Sequence, residues 1–384
     1  MRKVLITGGR GFLGRNLRAH LRQRRDCEVT VVDREETAAD LTKALLEADL
    51  IFHLAGINRP ENPLEFQTGN AVLTEQVCRF LAENRRTPKI VFSSSIQADL
   101  DNPYGASKAR AENTLRHFAN ASGACVRIYR LKNLFGKWCR PHYNSVTATF
   151  CHNIAHGLPI AISDGEHEIE LSYVDDVVAA FVSEIDGTQA GGEAGAEIRA
   201  YRIRLGDLAE RIRAFHEMRN TLLLPDYGDW FNRALYATYL SYVPPEELEY
   251  SLAIKSDVRG NLAEFIKHKN AGQIFVSKTK PGITRGNHYH HTKTEKFLVV
   301  QGSGLIRMRS IEGGPVEEFP VCGDRYQVVD IPPGITHSIT NTGTDEMVTL
   351  FWSSEIFDAD RPDTYPLAVE EEAVAAATMS GESS

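Results

Sequence analysis

Lys3-Val4-Leu5-Ile6-Thr7-Gly8-Gly9-Arg10-Gly11-Phe12-Leu13-Gly14 opens the chain, and its reading decides the fold. A short apolar run leads straight into glycines at 8, 11 and 14, and an amphipathic stretch comes next at 16–21. Glycines at this spacing permit a tight strand-to-helix turn, close approach of backbone to a pyrophosphate, and close packing of helix on strand, with the helix N-terminus facing the phosphates. A second β-branched run at 29–32 closes on Asp33, where a carboxylate accepts the hydroxyls of an adenosine ribose. The stretch therefore predicts a dinucleotide cradle built from Gly8, Arg10, Gly11, Phe12, Leu13 and Gly14, with Asp33 at its ribose end. Asp33 favours NAD, whereas Arg10 and Arg34 argue for NADP, because guanidinium groups hold a 2′-phosphate bidentately. The two cofactors stay open at this point.

Working outward, short runs at 4–6, 29–32, 50–54, 90–93 and 126–129 read as strands with helical patterns between them. That alternation predicts a parallel sheet wrapped on both faces by helices. Beyond residue 250 the texture changes to short runs at 273–279, 295–300, 304–309 and 347–352, separated by Gly and Pro turns, which predicts an antiparallel sandwich or barrel. The expected architecture is α/β: a Rossmann-type doubly wound sheet over 1–245, an all-β barrel over 246–370, and a disordered acidic, Ala- and Ser-rich tail over 371–384. The 384 residues suit two or three domains.

Composition excludes several classes. At 42% hydrophobic and 24% charged, the chain is not of disordered, collagen-like or coiled-coil type. Lys plus Arg number 43 against 51 Asp plus Glu, a net charge of −8, which does not favour nucleic acid or a membrane surface as partner. Six scattered cysteines without a C-x-x-C pair read as reduced thiols. No apolar run reaches the ~18 residues of a membrane span, and a strand stands where a signal sequence would, so the cytoplasm is the expected location.

The chemistry lies in Tyr104-Gly105-Ala106-Ser107-Lys108. Tyr and Lys four apart at the start of a helical stretch project from one face. A phenol of ordinary pKa about 10 is a poor acid–base catalyst near neutrality, and a nearby ammonium is expected to bring it toward the working range. Ser95, closing Ser93-Ser94-Ser95, is placed to hydrogen-bond the same substrate oxygen, and Asn102-Pro103 fits a turn feeding the helix.

With these residues assembled, the first ~240 residues resemble an extended short-chain dehydrogenase/reductase acting on nucleotide sugars. The resemblance rests on the three glycines, His53-Leu54-Ala55-Gly56, Ser95, Tyr104, Lys108 and Leu171-Ser172-Tyr173-Val174-Asp175-Asp176-Val177. It implies that Leu54, Ala55 and Gly56 line the cofactor together with Tyr104 and Lys108. It also implies that Ser95, Tyr104 and Lys108 are catalytic. Dehydratases of the family carry an acidic pair after the serine; here Ile96 and Gln97 occupy those positions, so dehydration is disfavoured and plain hydride transfer remains. The segment between Ser95 and Tyr104 is shorter than usual. Arg130, Asn133 and the stretch 137–150, with His142, Tyr143 and Asn144, lie where family members hold nucleotide and sugar.

A second constellation lies toward the C-terminus. Histidines two apart at His288 and His290 point to one side of a strand, Glu295 supplies a carboxylate, and His337 a third imidazole, a set suited to a divalent metal, zinc first among them. The spacing of Gly282, His288, His290, Glu295 and Gly302 resembles the first cupin motif, and Pro332, Gly334, His337 and Asn341 resemble most of the second. The glycine expected ahead of the second motif is displaced to Gly323, which suggests a longer hairpin. Asp257-Val258-Arg259-Gly260 and Arg285-Gly286-Asn287-His288-Tyr289 also resemble metal-free sugar-nucleotide 3,5-epimerases, in which His288 would be the general base.

A reductase joined to a C-terminal cupin resembles the bifunctional CapF-type enzymes of capsular polysaccharide synthesis. That resemblance implies C3 epimerisation of a UDP-2-acetamido-2,6-dideoxy-4-hexulose in the cupin and reduction of its C4 ketone by NADPH, with NADH possible, toward UDP-N-acetyl-L-fucosamine. A homodimer is the expected assembly. The alternatives are a 4-epimerase with permanently bound NAD and a structural cupin, an NADPH-sensing binding protein, and a reductase for a different sugar.

Overall fold

The computed structural model describes residues 1–384 except 61, 63, 188–192, 258–259, 264–265, 267–271, 356–357, 359 and 371–384. The expected tail at 371–384 and the Val258-Arg259 pair thus lie outside the described residues. Two compact units form: one from Met1–Thr221 with Gly228–Val243, the other from Leu222–Tyr227 and the chain from Pro244 onward. A single boundary near Pro244-Pro245 therefore misses an excursion: Tyr227 packs its ring 5.7 Å from that of Trp352, the largest fully buried side chain among the described residues.

In the first unit, β1 (Arg2–Thr7), α1 (Phe12–Leu21), β2 (Cys27–Val32), α2 (Ala38–Glu47), β3 (Leu50–His53), α3 (Leu64–Phe66), α4 (Leu73–Glu83), β4 (Lys89–Ser95), α5 (Pro103–Ser122) and β5 (Val126–Leu131) alternate as expected. The strands form a parallel sheet in the order β2-β1-β3-β4-β5. Leu5, Ile51 and Phe92 are buried on one face with Leu45, Leu81 and Leu115 of α2, α4 and α5, so the apolar runs become a sheet covered by helices. The chain turns one way from β1 to β2 and the other way to β3, which opens a crevice beyond the strand ends of β1 and β3. Sequence reading did not resolve the elements after β5: β6 (Asn133–Phe135), α6 (Val146–Ala155), β7 (Glu168–Tyr173), α7 (Val174–Asp186), β8 (Tyr201–Arg204), α8 (Leu205–Thr221) and α9 (Trp230–Leu240), with a small sheet ordered β6-β7-β8.

The second unit is antiparallel. It comprises β9 (Glu249–Ser251), a β10 (Ile254–Asp257) and β11 (Gly260–Ala263) pair, β12 (Gln273–Thr279), β13 (Thr284–Tyr289), β14 (Glu295–Gln301), β15 (Ser303–Ser310), β16 (Glu317–Cys322), β17 (Gln327–Ile331), β18 (Ile335–Asn341), β19 (Met347–Ser353) and β20 (Tyr365–Pro366). Two five-stranded sheets, β12-β19-β14-β17-β9 and β16-β15-β18-β13-β20, enclose Phe297, Ile306, Ile339 and Phe351 in a cupin-like β fold. The displaced Gly323 sits between β16 and β17 and donates its N–H to the Gly302 carbonyl at 2.9 Å, and β17 then pairs with β14. Among the described residues no helix is long and apolar enough to cross a membrane.

Candidate active sites

The glycine loop is shaped by backbone contact. Gly8 has φ +72°, where a side chain is strained, and a Cβ there would lie 2.6 Å from the amide nitrogen of Ala55; a Cβ on Gly14 would lie 2.3 Å from the Gly8 carbonyl oxygen. The loops after β1 and β3 thus abut, bringing Leu54, Ala55 and Gly56 beside the cradle. Gly11 caps α1 without a side chain and the first turn holds no acidic residue, so the helix offers its N–H groups outward. A cradle that any Cβ would fill, facing a helix start, fits a dinucleotide pyrophosphate. Phe12 and Leu13 begin that helix. The Asp33 carboxylate accepts the backbone N–H groups of Arg10 at 2.9 Å and Arg34 at 3.1 Å, and Arg10 pairs through its guanidinium with Glu36.

Ser95 ends β4 and accepts the N–H of Gln97 at 3.2 Å, starting a single 3-10 turn, Ile96–Asp99, which accounts for the short connection. Asn102 then accepts the N–H of Gly105 at 2.8 Å and Pro103 occupies the first turn, so α5 is capped just ahead of the turn that carries Tyr104. Tyr104 and Lys108 stand one turn apart, with Lys108 Nζ 6.0 Å from the phenol ring centre. Burial draws the Lys108 ammonium down to about 8, with Glu112 opposing, while Nζ donates to the Ser93 carbonyl at 2.9 Å.

One expectation is corrected. The phenol of Tyr104 is raised above its ordinary value, because burial outweighs the Ser95 hydroxyl that pulls it down, and Lys108 is turned to the Ser93 carbonyl. A raised phenol stays protonated at neutral pH, which suits a proton donor.

Sequence reading missed two supports, Asn70 and Glu112, and gave no role to a third, His53. Asn70, buried at a π-helical turn, accepts the N–H of Ile57 at 2.8 Å and donates to Ser107 Oγ at 3.0 Å, fastening the loop after Gly56 to α5. Glu112, one turn beyond Lys108 and fully buried, accepts Ser94 Oγ at 2.5 Å and both Arg130 and Arg116. His53 bridges Thr7 and Thr74 at 2.8 and 3.0 Å, and burial, then the Lys108 charge, depresses it to about 3, so it is a neutral spacer.

The expected substrate residues separate. Arg130 spends its donors on Glu112 at 2.7 and 2.9 Å and on Asp99 at 2.8 Å, an ion-pair network in place of an open ligand position. Asn133 is exposed at the start of β6. His142 is exposed on the loop before α6, with φ +55°, its N–H donating to Thr149 Oγ1 at 3.0 Å; the neighbouring Tyr143 carbonyl accepts from Arg59, beyond Gly56.

In the second unit, His288, His290, Glu295 and His337 come together, with one ligand atom from each all within 4.8 Å of one another. His288 pairs opposite His337 across β13 and β18, where Gly286 at φ +102° and a bulge re-aim the strand. The Nε2 atoms of His290 and His337 face one Glu295 oxygen at 3.2 and 3.3 Å, yet neither is hydrogen-bonded. Two orphaned imidazole nitrogens sharing a buried carboxylate oxygen fit a divalent ion between them. His290 Nδ1 lies 2.5 Å from the Asp363 carbonyl, and the Asp363 carboxylate accepts the N–H groups of His291, Thr292 and Lys293 at 2.9, 3.0 and 2.8 Å. Asp363, invisible in the motif, thus orients the ligand loop. Burial would raise Glu295, but His290 and His337 hold it well below the carboxylate range. His288, the most accessible of the four, is depressed to about 4, by burial first and then by the other two imidazoles.

A doubly wound sheet with Ser95, Tyr104 and Lys108 at its dinucleotide crevice defines a reductase/epimerase-like enzyme that takes a nicotinamide cofactor. Residues 4–195 match the NAD dependent epimerase/dehydratase family, and 255–365 the polysaccharide biosynthesis C-terminal domain. A UDP-2-acetamido-2,6-beta-L-arabino-hexul-4-ose reductase from Pseudomonas aeruginosa is 44% identical over 369 residues, 96% of this chain and 99% of its own. The crystal structure of capsular polysaccharide assembling protein CapF from Staphylococcus aureus matches with TM-score 0.65 at 44% identity, over 96% of this chain and 100% of its own; CapF with 3-isopropenyl-tropolone matches with TM-score 0.60 at 41%, over 96% and 100%. This chain belongs to the CapF-type family, nucleotide-sugar reductase/epimerase-like enzymes of capsular polysaccharide biosynthesis.

Proposed function

We propose that the chain reduces the C4 ketone of a UDP-2-acetamido-2,6-dideoxy-4-hexulose with NADPH, after its cupin unit has inverted C3, toward UDP-N-acetyl-L-fucosamine. The observation that carries the reading is the Ser95, Tyr104 and Lys108 cluster beside the cradle, with no acidic pair after Ser95 to remove water. The name of the 44% identical relative, a hexul-4-ose reductase, supports the same chemistry. A nicotinamide bound there supplies hydride to C4. Tyr104 Oη donates its proton to the developing C4 alkoxide, Ser95 Oγ hydrogen-bonds the same oxygen, and Lys108 keeps positive charge beside it. The C4 ketone also acidifies the C3 proton, so one carbonyl serves both units. In the cupin unit, His288, His290, Glu295 and His337 would hold a divalent ion such as zinc, and four protein ligands would close a tetrahedral shell of the structural kind. A second reading, His288 as general base at C3, is favoured by its partial exposure, the greatest of the four, and by its neutral imidazole.

Turnover of UDP-4-keto sugars tests the reading. Stoichiometric NADPH oxidation with loss of the ketone is expected; no NADPH oxidation with the 4-keto sugars, together with C4 inversion of the corresponding UDP-4-hydroxy sugar, would instead identify an epimerase with bound NAD.

Lys108 sets the pH profile. Its charged form exists below about 8, so kcat/KM for the ketone is expected to fall as pH rises through that value. Glu112 favours the ammonium, and Glu112→Gln should move this alkaline limb to lower pH. A limb that stays in place in the variant would remove Glu112 from the site's electrostatics.

A further inference from the structure

Glu36 lies in the turn after β2 and in no motif. Its carboxylate takes both terminal nitrogens of Arg10, at 2.6 and 2.7 Å, and the backbone N–H of Asp33 at 2.7 Å. Glu35 stands 3.6 Å from Nε of the same guanidinium. The Arg10 guanidinium holds Glu36 down at about 2, so the pair is ionised at neutral pH. Arg10 is thus, with Arg34, one of two cationic side chains at the ribose end of the cradle, and the edge that carries its two terminal nitrogens is already occupied by Glu36.

The two dinucleotides meet this arrangement differently. A ribose with a free 2′-hydroxyl donates to the Asp33 carboxylate and leaves the Arg10–Glu36 pair intact. A 2′-phosphate brings close to two negative charges and competes with Glu36 for the terminal nitrogens of Arg10, beside whose guanidinium the displaced carboxylate and Glu35 remain. We propose that Glu36 is a specificity-determining residue, competing with the ribose 2′-phosphate for Arg10 and keeping the preference of this chain for NADPH over NADH small. The inference rests on the reading of the glycine loop as a dinucleotide cradle and adds to it the residue that sets the choice between cofactors.

Calorimetric titration of the full-length protein with NAD+ and NADP+ tests it without turnover. Glu36→Gln keeps an acceptor for the Asp33 N–H while removing the charge, and Glu36→Ser is measured beside it in case the amide disturbs the turn. In either variant the ratio Kd(NAD+)/Kd(NADP+) is expected to rise about tenfold, the scale of one lost like-charge contact and one freed guanidinium. Adding Arg10→Met should abolish that gain. A ratio within about twofold of wild type in folded variants that bind both dinucleotides, or a gain that survives the loss of Arg10, overturns the proposal and leaves the cradle intact. Wild-type protein that binds neither dinucleotide overturns the cradle and the proposal together.

Discussion

Replacing Tyr104 by Phe is expected to cut reduction of the 4-keto sugar by at least ~10²-fold, the scale of general-acid catalysis, with NADPH binding near wild type. The substitution removes one oxygen and little else. The ring packs 5.6 Å from that of Phe66, a contact phenylalanine retains, and Lys108 is held by the Ser93 carbonyl independently of the phenol. The raised phenol of the cofactor-free site carries its proton at neutral pH, so the loss reports proton donation. Single-turnover NADPH oxidation, with cofactor affinity measured alongside, checks the result. Reduction at the wild-type rate would remove Tyr104 from the mechanism.

Removing the metal is the second large perturbation. The protein is expected to carry about one divalent ion per chain, and Glu295→Ala should lower metal affinity by ~10²-fold or more, since disturbing even the groups that orient ligands costs 10–100-fold. Without Glu295 the three imidazoles face one another with no balancing charge, and without the ion the orphaned nitrogens of His290 and His337 stay unsatisfied in a buried site. Chelation should therefore lower the melting temperature of the cupin unit more than that of the reductase unit, and slow proton exchange at C3 of the 4-keto sugar. Elemental analysis, calorimetric melting and deuterium exchange on one chelated sample read all three. Full exchange and unchanged melting in verified metal-free protein would favour His288 as a metal-free base.

What was legible in the sequence is what is local. The glycine loop, the Tyr104–Lys108 helix pair with its Asn102-Pro103 start, and the His288, His290 and Glu295 spacing each depend on residues a few positions apart, where strand and helix periods fix direction. Groups that act across the fold left no such trace. Asp363 reaches the loop carrying His290 from more than 70 residues away, and Asn70 joins two elements that only the sheet order brings together. Arg130 has the right type and the right strand for a substrate ligand, but residue type does not reveal that a buried Glu112 will claim it. Local reasoning expected the ammonium to lower the Tyr104 phenol; burial, a property of the assembled fold, reversed the sign. The excursion of Leu222–Tyr227 into the second unit is equally non-local, since it packs Leu222 against Leu252, Leu298 and Val328 and Tyr227 against Trp352.

The central claim is that one ketone serves two sites in sequence, and isotope placement tests it most directly. The full-length protein is given the UDP-2-acetamido-2,6-dideoxy-4-hexulose and NADPH in D2O, and the product is examined by NMR and mass spectrometry. The account predicts deuterium at C3 from solvent, protium at C4 from the cofactor, and stoichiometric NADPH oxidation. Product with protium retained at C3, or exchange at C3 without NADPH oxidation, would contradict it.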